Sequence, residues 1–351
     1  MKTLLLLFWG FFKIGAFTFG GGYAMIPLIK AELVDKQKWV DEGDFYDTIA
    51  VAQSSPGPLV VNMAVFLGLK IAKFRGMVMA TLGATLPSFI TILWIAILFQ
   101  NFQHNPYVIA AFKGVKPAVV ALILVPAWSM AKKSQIKGLT LLIPVLIAAA
   151  VAFYKVSPIL YRRRHDCRQF GIRAEKMIFW ELFYTFFKIG LFSFGGGYAM
   201  LALIQDEVVN KHAWISVGKF TDIIAISQVT PGPIAINTAT YIGYESTKSV
   251  FGSFVATLGV SLPSVIVTTL LFLFLKKYSS RPIVQNAFKG LRIAVVGLIL
   301  SASVMLMNGE NFIDGSSLII CAVSCLLIFF KNISAIYLML ASAAAGILLY
   351  G

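Results

Sequence analysis

Three consecutive glycines occur twice in this chain, each time inside a long apolar stretch. Residues 17–25 read FTFGGGYAM, and residues 192–200 read FSFGGGYAM. Glycine adopts backbone conformations that other residues avoid and lets a ligand approach the main chain, although small residues also serve close helix packing. The N–H groups freed by such a break can bind an anion where the next half-helix begins. We predict an anion contact at six glycines: Gly20, Gly21, Gly22, Gly195, Gly196 and Gly197.

A Pro-Gly-Pro sequence forms a second break in each of these regions. It lies within QSSPGPLVVN at 53–62 and within QVTPGPIAIN at 228–237. Each proline removes a backbone donor and clashes with the preceding turn, so a regular helix cannot continue. The flanking glutamine and asparagine amides have two possible roles, which are donation to an oxyanion and hydrogen bonding between helices. The predicted binding residues of these motifs are Gln53, Pro56, Gly57, Pro58, Asn62, Gln228, Pro231, Gly232, Pro233 and Asn237.

Two lysines precede the glycine triplets at matched positions, Lys13 and Lys188. A charge inside an apolar membrane segment is costly and usually functional, whereas a lysine near a helix end can extend to the membrane surface. We predict that both lysines face a polar cavity and bind the anion, with Lys188 favoured because Lys13 lies close to the chain start.

Two acidic positions also recur in both regions, near the ends of the apolar segments. These carboxylates are candidates for carrying protons, and the alternative is that they are plain charges at the membrane interface. The four residues are Glu32, Asp47, Glu207 and Asp222.

The breaks must lie in membrane helices, because the chain is too apolar for a soluble protein of its length. Of 351 residues, 58% are hydrophobic and 13% are charged, and the mean hydropathy is +0.83. Apolar stretches of about 20 residues are typical of transmembrane helices. Residues 30–45 are more polar and are predicted as an amphipathic helix at the interface. We predict an all-α polytopic membrane protein with apolar segments near 4–29, 46–69, 77–100, 107–130, 138–160, 178–204, 221–243, 252–275, 285–306, 316–330 and 333–350.

The chain is an internal repeat with an offset of 175 or 176 residues. Residues 11–32 align without gaps to 186–207, and TLGATLPS at 81–88 matches TLGVSLPS at 257–264. Broken helices in two related halves are typical of inverted-repeat transporters, which bind substrate near the midplane. We predict two repeats of about five transmembrane helices each, joined by a basic linker: 1–161, 162–176 and 177–351.

The charges of the loops predict that the two repeats are inverted. Residues 70–76 carry three basic residues, whereas the equivalent loop has one acid and one base. Residues 100–107 are uncharged where their counterpart has three basic residues, and acids replace the lysines of 132–137. Because basic loops stay in the cytoplasm, the repeats are expected to lie upside down relative to each other. The linker, with six basic residues, goes against this rule.

The net charge of +15 is assigned to this loop bias and to contact with lipid head groups rather than to nucleic acid. The three cysteines show no metal-ligand spacing, so we predict no metal, no cofactor and no disulfide. The chain has no H-E-x-x-H motif and no Ser/His/Asp set, which argues against an enzyme.

The doubled motifs F-x-F-G-G-G-Y-A-M and Q-x-x-P-G-P-x-x-x-N resemble those of the chromate ion transporter family, over nearly the whole chain. The resemblance implies a multi-pass protein of the cytoplasmic membrane that exports chromate by alternating access, driven by the proton gradient, with sulfate as an analogue. Pro27 departs from repeat symmetry, since Ala202 stands at the matched position. The alternatives are an uptake transporter or channel for sulfate or another oxyanion, and a membrane-embedded enzyme acting on lipid phosphates.

Overall fold

The computed structural model confirms an all-α protein. Its described residues are helical apart from short connections. They are residues 2–18, 22–102, 105–133, 171–193, 197–278, 306–309, 311–331 and 335–351, with 146, 281, 283, 286, 300, 303, 304 and 333. Within them, three helices have the length and apolar character needed to cross a membrane: 59–102, 106–125 and 250–274.

The described residues of the first repeat form five helices and one π-helical turn. The predicted segment 4–29 is divided at the glycines, and the predicted segment 46–69 is divided at Pro-Gly-Pro. The predicted segment 138–160 lies almost entirely outside the described residues. The elements are α1 (Lys2–Phe17), α2 (Gly22–Lys30), the π-helical turn Ala31–Lys36, α3 (Glu42–Ser54), α4 (Leu59–Phe102) and α5 (Pro106–Lys133).

The second repeat begins in the same way. The last residues of the predicted linker 162–176 already belong to its first helix, and 162–170 lie outside the described residues, as does most of 285–306. Two short apolar helices end the chain, as predicted. The elements are α6 (Gly171–Phe192), α7 (Gly197–Gln205), the π-helical turn Asp206–Lys211, α8 (Val217–Val229), α9 (Ile234–Thr247), α10 (Val250–Tyr278), α11 (Gly315–Lys331) and α12 (Ala335–Tyr350).

The amphipathic helix predicted over 30–45 is wrong. The π-helical turn continues α2 to Lys36, and a separate helix, α3, starts at Glu42. The Asp41 side chain accepts a hydrogen bond from Asp44 N at 2.8 Å and so caps α3. Ser216, the equivalent residue, caps α8 in the same way. The polar residues of 30–45 therefore end one helix and begin another.

Helix α4 consists of two arms, residues 59–71 and 74–102. Ala72 and Lys73 leave the helical conformation between them, and Lys73 has a φ of 54°. The equivalent Lys248 ends α9 with a φ of 53°. The first arm of α4 and α9 are therefore equivalent helices, as are its second arm and α10.

Small residues bring the first helix of each repeat against the long helix that follows. A Cβ added to Gly15 of α1 would lie 2.9 Å from Ala84 O and from Pro87 Cγ of α4. Gly190 of α6 is similarly close to Pro263 of α10. Close backbone contact through glycine is typical of helix packing in membranes.

Helices α9 and α10 run in opposite directions. Thr240 Oγ1 lies 2.6 Å from Thr257 Oγ1. Nearer the bend, Gly243 is packed against Gly252. Residue numbers thus rise along α9 as they fall along α10.

The first arm of α4, by contrast, runs in the same direction as α10. Asn62 accepts a hydrogen bond from Ser264 Oγ at 2.5 Å, and the rings of Phe66 and Phe272 lie 4.7 Å apart. Along this contact the residue numbers rise together in both helices. The first arm of α4 and α9, which are equivalent in the repeat, therefore point in opposite directions relative to α10.

Helix α5 packs against the second repeat as well as against its own. Residues of α5 join the hydrophobic core formed by α6 to α10, together with residues of α11 and α12. Gly114 of α5 and Gly346 of α12 meet so closely that a Cβ on either would overlap the other helix. The two repeats thus share one interior.

Candidate functional site

The two repeats contact each other where their helices are broken. Gly57 N donates a hydrogen bond to Ser193 O at 2.7 Å, and Gly232 N donates to Thr18 O at 2.9 Å. Thr18 and Ser193 directly precede the segments that carry the glycine triplets. Each Pro-Gly-Pro break therefore rests on the glycine break of the other repeat.

Only glycine fits the centre of each Pro-Gly-Pro break. Gly57 has a φ of 99° and Gly232 a φ of 111°, which L side chains rarely adopt. A Cβ on Gly57 would overlap the Ser264 hydroxyl, and one on Gly232 would overlap the Ser88 hydroxyl. The flanking prolines Pro56, Pro58, Pro231 and Pro233 lie at the same two breaks.

Asn62 connects the first break to the other repeat. Its amide nitrogen donates to Ala52 O at 3.0 Å and to Ser55 O at 3.2 Å, which are carbonyls at the end of α3. Its carbonyl oxygen accepts from Ser264 at 2.5 Å and from Thr268 at 2.8 Å. Two roles were possible for this amide. In the structure it forms hydrogen bonds between helices.

Asn237 makes the equivalent contacts in the second repeat. Its amide nitrogen donates to Ser227 O at 3.2 Å and to Thr230 O at 3.3 Å. Its oxygen accepts from Ser88 Oγ at 2.5 Å. One sequence motif, TLGATLPS at 81–88 and TLGVSLPS at 257–264, ends in Ser88 and Ser264, and no role was predicted for it. Its repetition beside each break was the available signal.

Four half-helices begin at these breaks. They start at Gly22, Leu59, Gly197 and Ile234. A Cβ on Gly197 would lie 3.5 Å from Ile234 Cβ, so α7 and α9 start side by side. A helix start carries about half a unit of positive charge on N–H groups that lack partners within the helix. This cluster of helix starts, which we call the central site, can attract an anion without a charged side chain.

Gln228 brings an amide to the central site. Its side chain is fully buried, and its oxygen accepts from the Tyr198 hydroxyl at 3.4 Å, beside the start of α7. Among the described residues its Nε2 has no hydrogen-bond partner. A buried donor without a partner is costly, which marks this amide as one that a ligand can use. Gln53, the equivalent residue, is half-buried.

The glycine triplets can be placed only in part. Gly22 and Gly197 begin α2 and α7. Gly20, Gly21, Gly195 and Gly196 lie outside the described residues.

Lys188 has a resident partner. Its Nζ lies 3.0 Å from Glu207 Oε2, and both side chains are almost completely buried. Lys211 also pairs with Glu207, at 2.8 Å, and with Asp206 at 2.8 Å. The structure thus brings together the lysine predicted to bind the anion and a carboxylate predicted to carry protons, and it joins them in an ion pair.

Lys13 differs from its counterpart because it is exposed. Glu32 is held by Lys36 at 3.1 Å and by the Gln37 amide at 3.1 Å. The matched lysines therefore have different surroundings in the two repeats, and only Lys188 is enclosed.

Asp222, the fourth acidic candidate, links the repeats. Its Oδ1 lies 3.4 Å from Nζ of Lys116, a residue of α5 in the first repeat. No motif in the sequence pointed to Lys116. The side chain of Asp47, the equivalent acid, lies outside the described residues.

Known proteins resemble the chain over nearly its whole length. The chromate transport protein of Cupriavidus metallidurans is 27% identical over 99% of this chain and 94% of its own length. An uncharacterized transporter of Methanocaldococcus jannaschii is 28% identical over 99% and 94%. A probable chromate transport protein of Synechococcus elongatus is 25% identical over 84% and 82%.

No solved structure matches the chain. The relatives are named as transporters, which confirms the prediction of a membrane transporter rather than an enzyme. The pattern of the chromate transporter family matches residues 5–162 and again 180–347, so it covers both repeats. The chain therefore belongs to the chromate transporter family.

Proposed function

We propose that this protein exports chromate across the cytoplasmic membrane, in exchange for protons, as a multi-pass transporter surrounded by lipid. The observation that carries the proposal is the central site, where four half-helices start beside the buried Gln228, whose amide nitrogen has no partner among the described residues. The names of the relatives supply chromate as the substrate.

The chromate dianion would lie against the N–H groups of the helix starts and the Gln228 amide. Helix starts favour anions, and the low dielectric of the site strengthens each contact. The predicted contacts at Gly20, Gly21, Gly22, Gly195, Gly196 and Gly197 belong to this proposal. Asn62 and Asn237 would shape the site rather than donate to the anion. Sulfate, a dianion of similar shape, would compete for the same donors.

The arrangement of the repeats supports alternating access. The first arm of α4 and α9 point in opposite directions relative to α10, which supports an inverted repeat. In such transporters one repeat moves against the other around a midplane site. The different exposure of the matched lysines also supports alternating access. Lys13 is exposed and Lys188 is enclosed, which is expected if the two repeats adopt different conformations at the same time.

The test is chromate flux into proteoliposomes that contain the full chain. We expect saturable uptake that excess sulfate inhibits and that an imposed pH gradient accelerates. In Gln228→Leu we expect the KM for chromate to rise about tenfold or more, since a hydrogen bond to a charged group contributes about 1.5–3 kcal/mol. Gln100→Leu, at the far end of α4, is the matched control and should transport normally.

Three results would contradict parts of the proposal. Uptake of sulfate without uptake of chromate would support the sulfate alternative, and flux that does not saturate would indicate a channel. A KM unchanged in Gln228→Leu would remove this amide from the site.

A further inference from the structure

Helices α8 and α9 form a hairpin whose register can be read from its contacts. Near the central site, Asn237 donates to Ser227 O at 3.2 Å. At the other end, Lys219 Nζ lies 3.8 Å from Glu245 Oε1. Between these contacts the antiparallel register places Tyr241 opposite Asp222.

One face of α9 carries polar side chains along its whole length. Thr238, Tyr241 and Glu245 are three and four residues apart, so they line one side of the helix. Thr238 and Tyr241 are fully buried. Three polar atoms of this face have no hydrogen-bond partner within the described part of the chain: Thr238 Oγ1, the Tyr241 hydroxyl oxygen and Glu245 Oε2. Three such groups in a row extend from the central site to the bend after α9.

Both carboxylates beside this row are paired with lysines. Asp222 pairs with Lys116 of α5 at 3.4 Å. Glu245 pairs with Lys248 at 2.6 Å and lies 3.8 Å from Lys219. Helix α12 also packs on α8 and contains no charged residue.

The first repeat has no such row. The residues equivalent to Thr238, Tyr241 and Glu245 are Met63, Phe66 and Lys70. Neither a methionine nor a phenylalanine side chain can exchange a proton. Two homologous hairpins thus lie beside the central site, and only the second carries a row of side chains that can exchange protons.

Building on the proposed exchange of chromate for protons, we propose that protons cross this transporter through the second repeat alone, along Glu245, Tyr241 and Asp222. A proton taken from water neutralises the Glu245 carboxylate. It then passes to the Tyr241 oxygen while the hydroxyl proton of Tyr241 passes to Asp222. Glu245 is ionised again, Tyr241 is unchanged, and Asp222 is neutral.

Neutral Asp222 no longer attracts Lys116, which belongs to the first repeat. Protonation would therefore weaken a contact between α5 and α8 and couple proton entry to movement between the repeats. The loop charges place the bend after α9 outside the cell, so the path opens to the side from which protons flow inward.

The experiment separates proton coupling from substrate transport in proteoliposomes. Exchange of labelled for unlabelled chromate at equal pH needs no net proton movement, whereas accumulation driven by a pH gradient does. We expect Tyr241→Phe, Glu245→Gln and Asp222→Asn to keep exchange within about twofold and to lose gradient-driven accumulation by about tenfold or more. Phenylalanine fits the position, because Phe66 occupies its equivalent in the first repeat.

Asp44→Asn is the matched control. Asp44 pairs with Lys70 at the positions equivalent to Lys219 and Glu245, so this variant breaks the same ion pair in the first repeat. It should leave both activities unchanged. Normal gradient-driven accumulation in Tyr241→Phe, or an equal loss of exchange, would overturn the proton path. Absence of chromate exchange in the wild-type protein would instead overturn the proposed substrate.

Discussion

At the residue scale, the central site depends on side chains that hold the backbone open rather than on charge. Asn62 and Asn237 bind the carbonyls that each break leaves without partners, and a serine of the opposite repeat completes each set. The one buried lysine of the predicted set is neutralised by Glu207. In the proposed anion site, the positive potential would therefore come from the helix starts rather than from a charged side chain.

Gly57→Ala is expected to destabilise the protein. The backbone strain costs roughly 1–3 kcal/mol, and the new methyl group overlaps Ser264. The melting temperature of the purified protein should fall. The fall should be smaller when Gly57→Ala is made in a Ser264→Gly background, because the overlap is then absent. Equal effects in both backgrounds would show that the serine does not limit this position.

Lys188→Met is also expected to destabilise the protein. Removing one member of a buried ion pair costs roughly 3–5 kcal/mol, and Lys211 beside Glu207 reduces that loss. Lys188→Met with Glu207→Gln should recover most of the stability, as measured by thermal unfolding. A single variant that folds normally but transports chromate at least about tenfold more slowly would return Lys188 to the substrate site.

Individual residues also explain which features the sequence predicts and which it misses. The breaks were predictable, because glycine and proline alter the backbone at their own positions. The ion pair of Lys188 was not, because it depends on how α6, α7 and the π-helical turn Asp206–Lys211 fold against each other. The Asn62–Ser264 contact joins residues 202 positions apart, and no local pattern reports such a contact.

At the element scale, helix direction was harder to predict than helix existence. The apolar segment 107–130 reappears as α5 with nearly the same ends. The segments 46–69 and 221–243 each became two helices, since a hydropathy pattern continues unchanged through a sharp reversal. Pro-Gly-Pro marked the reversal, but only the contacts between repeats show which helices then lie together.

Gly114→Leu should separate α5 from α12. A side chain there would overlap the α12 backbone near Ser342 and Gly346. We expect a lower melting temperature and faster proteolysis of the chain end. Gly315→Leu is the control, because a Cβ on Gly315 meets nothing within 4 Å. Equal stability of the two variants would mean that this glycine contact does not hold α12 in place.

At the scale of the whole molecule, the equivalent bends after the first arm of α4 and after α9 should face opposite sides of the membrane. Single cysteines at Arg75 and Ser249, in a chain lacking its three native cysteines, would be labelled in intact cells with an impermeant thiol reagent. We expect labelling at Ser249 and protection at Arg75 until the membrane is opened. Labelling of both positions from one side would contradict the inverted arrangement.

The reciprocal contacts of Gly57 with Ser264 and of Gly232 with Ser88 limit how the repeats can evolve. After a gene duplicates, each copy is normally free to drift. Here, however, a change at a serine of one copy alters the room for a glycine of the other, and both copies carry the same glycine and the same serine. The two copies differ in sequence away from these glycine–serine contacts, as at the equivalent positions Phe66 and Tyr241. The two repeats can thus differ within their hairpins while the contact between them keeps the same residues.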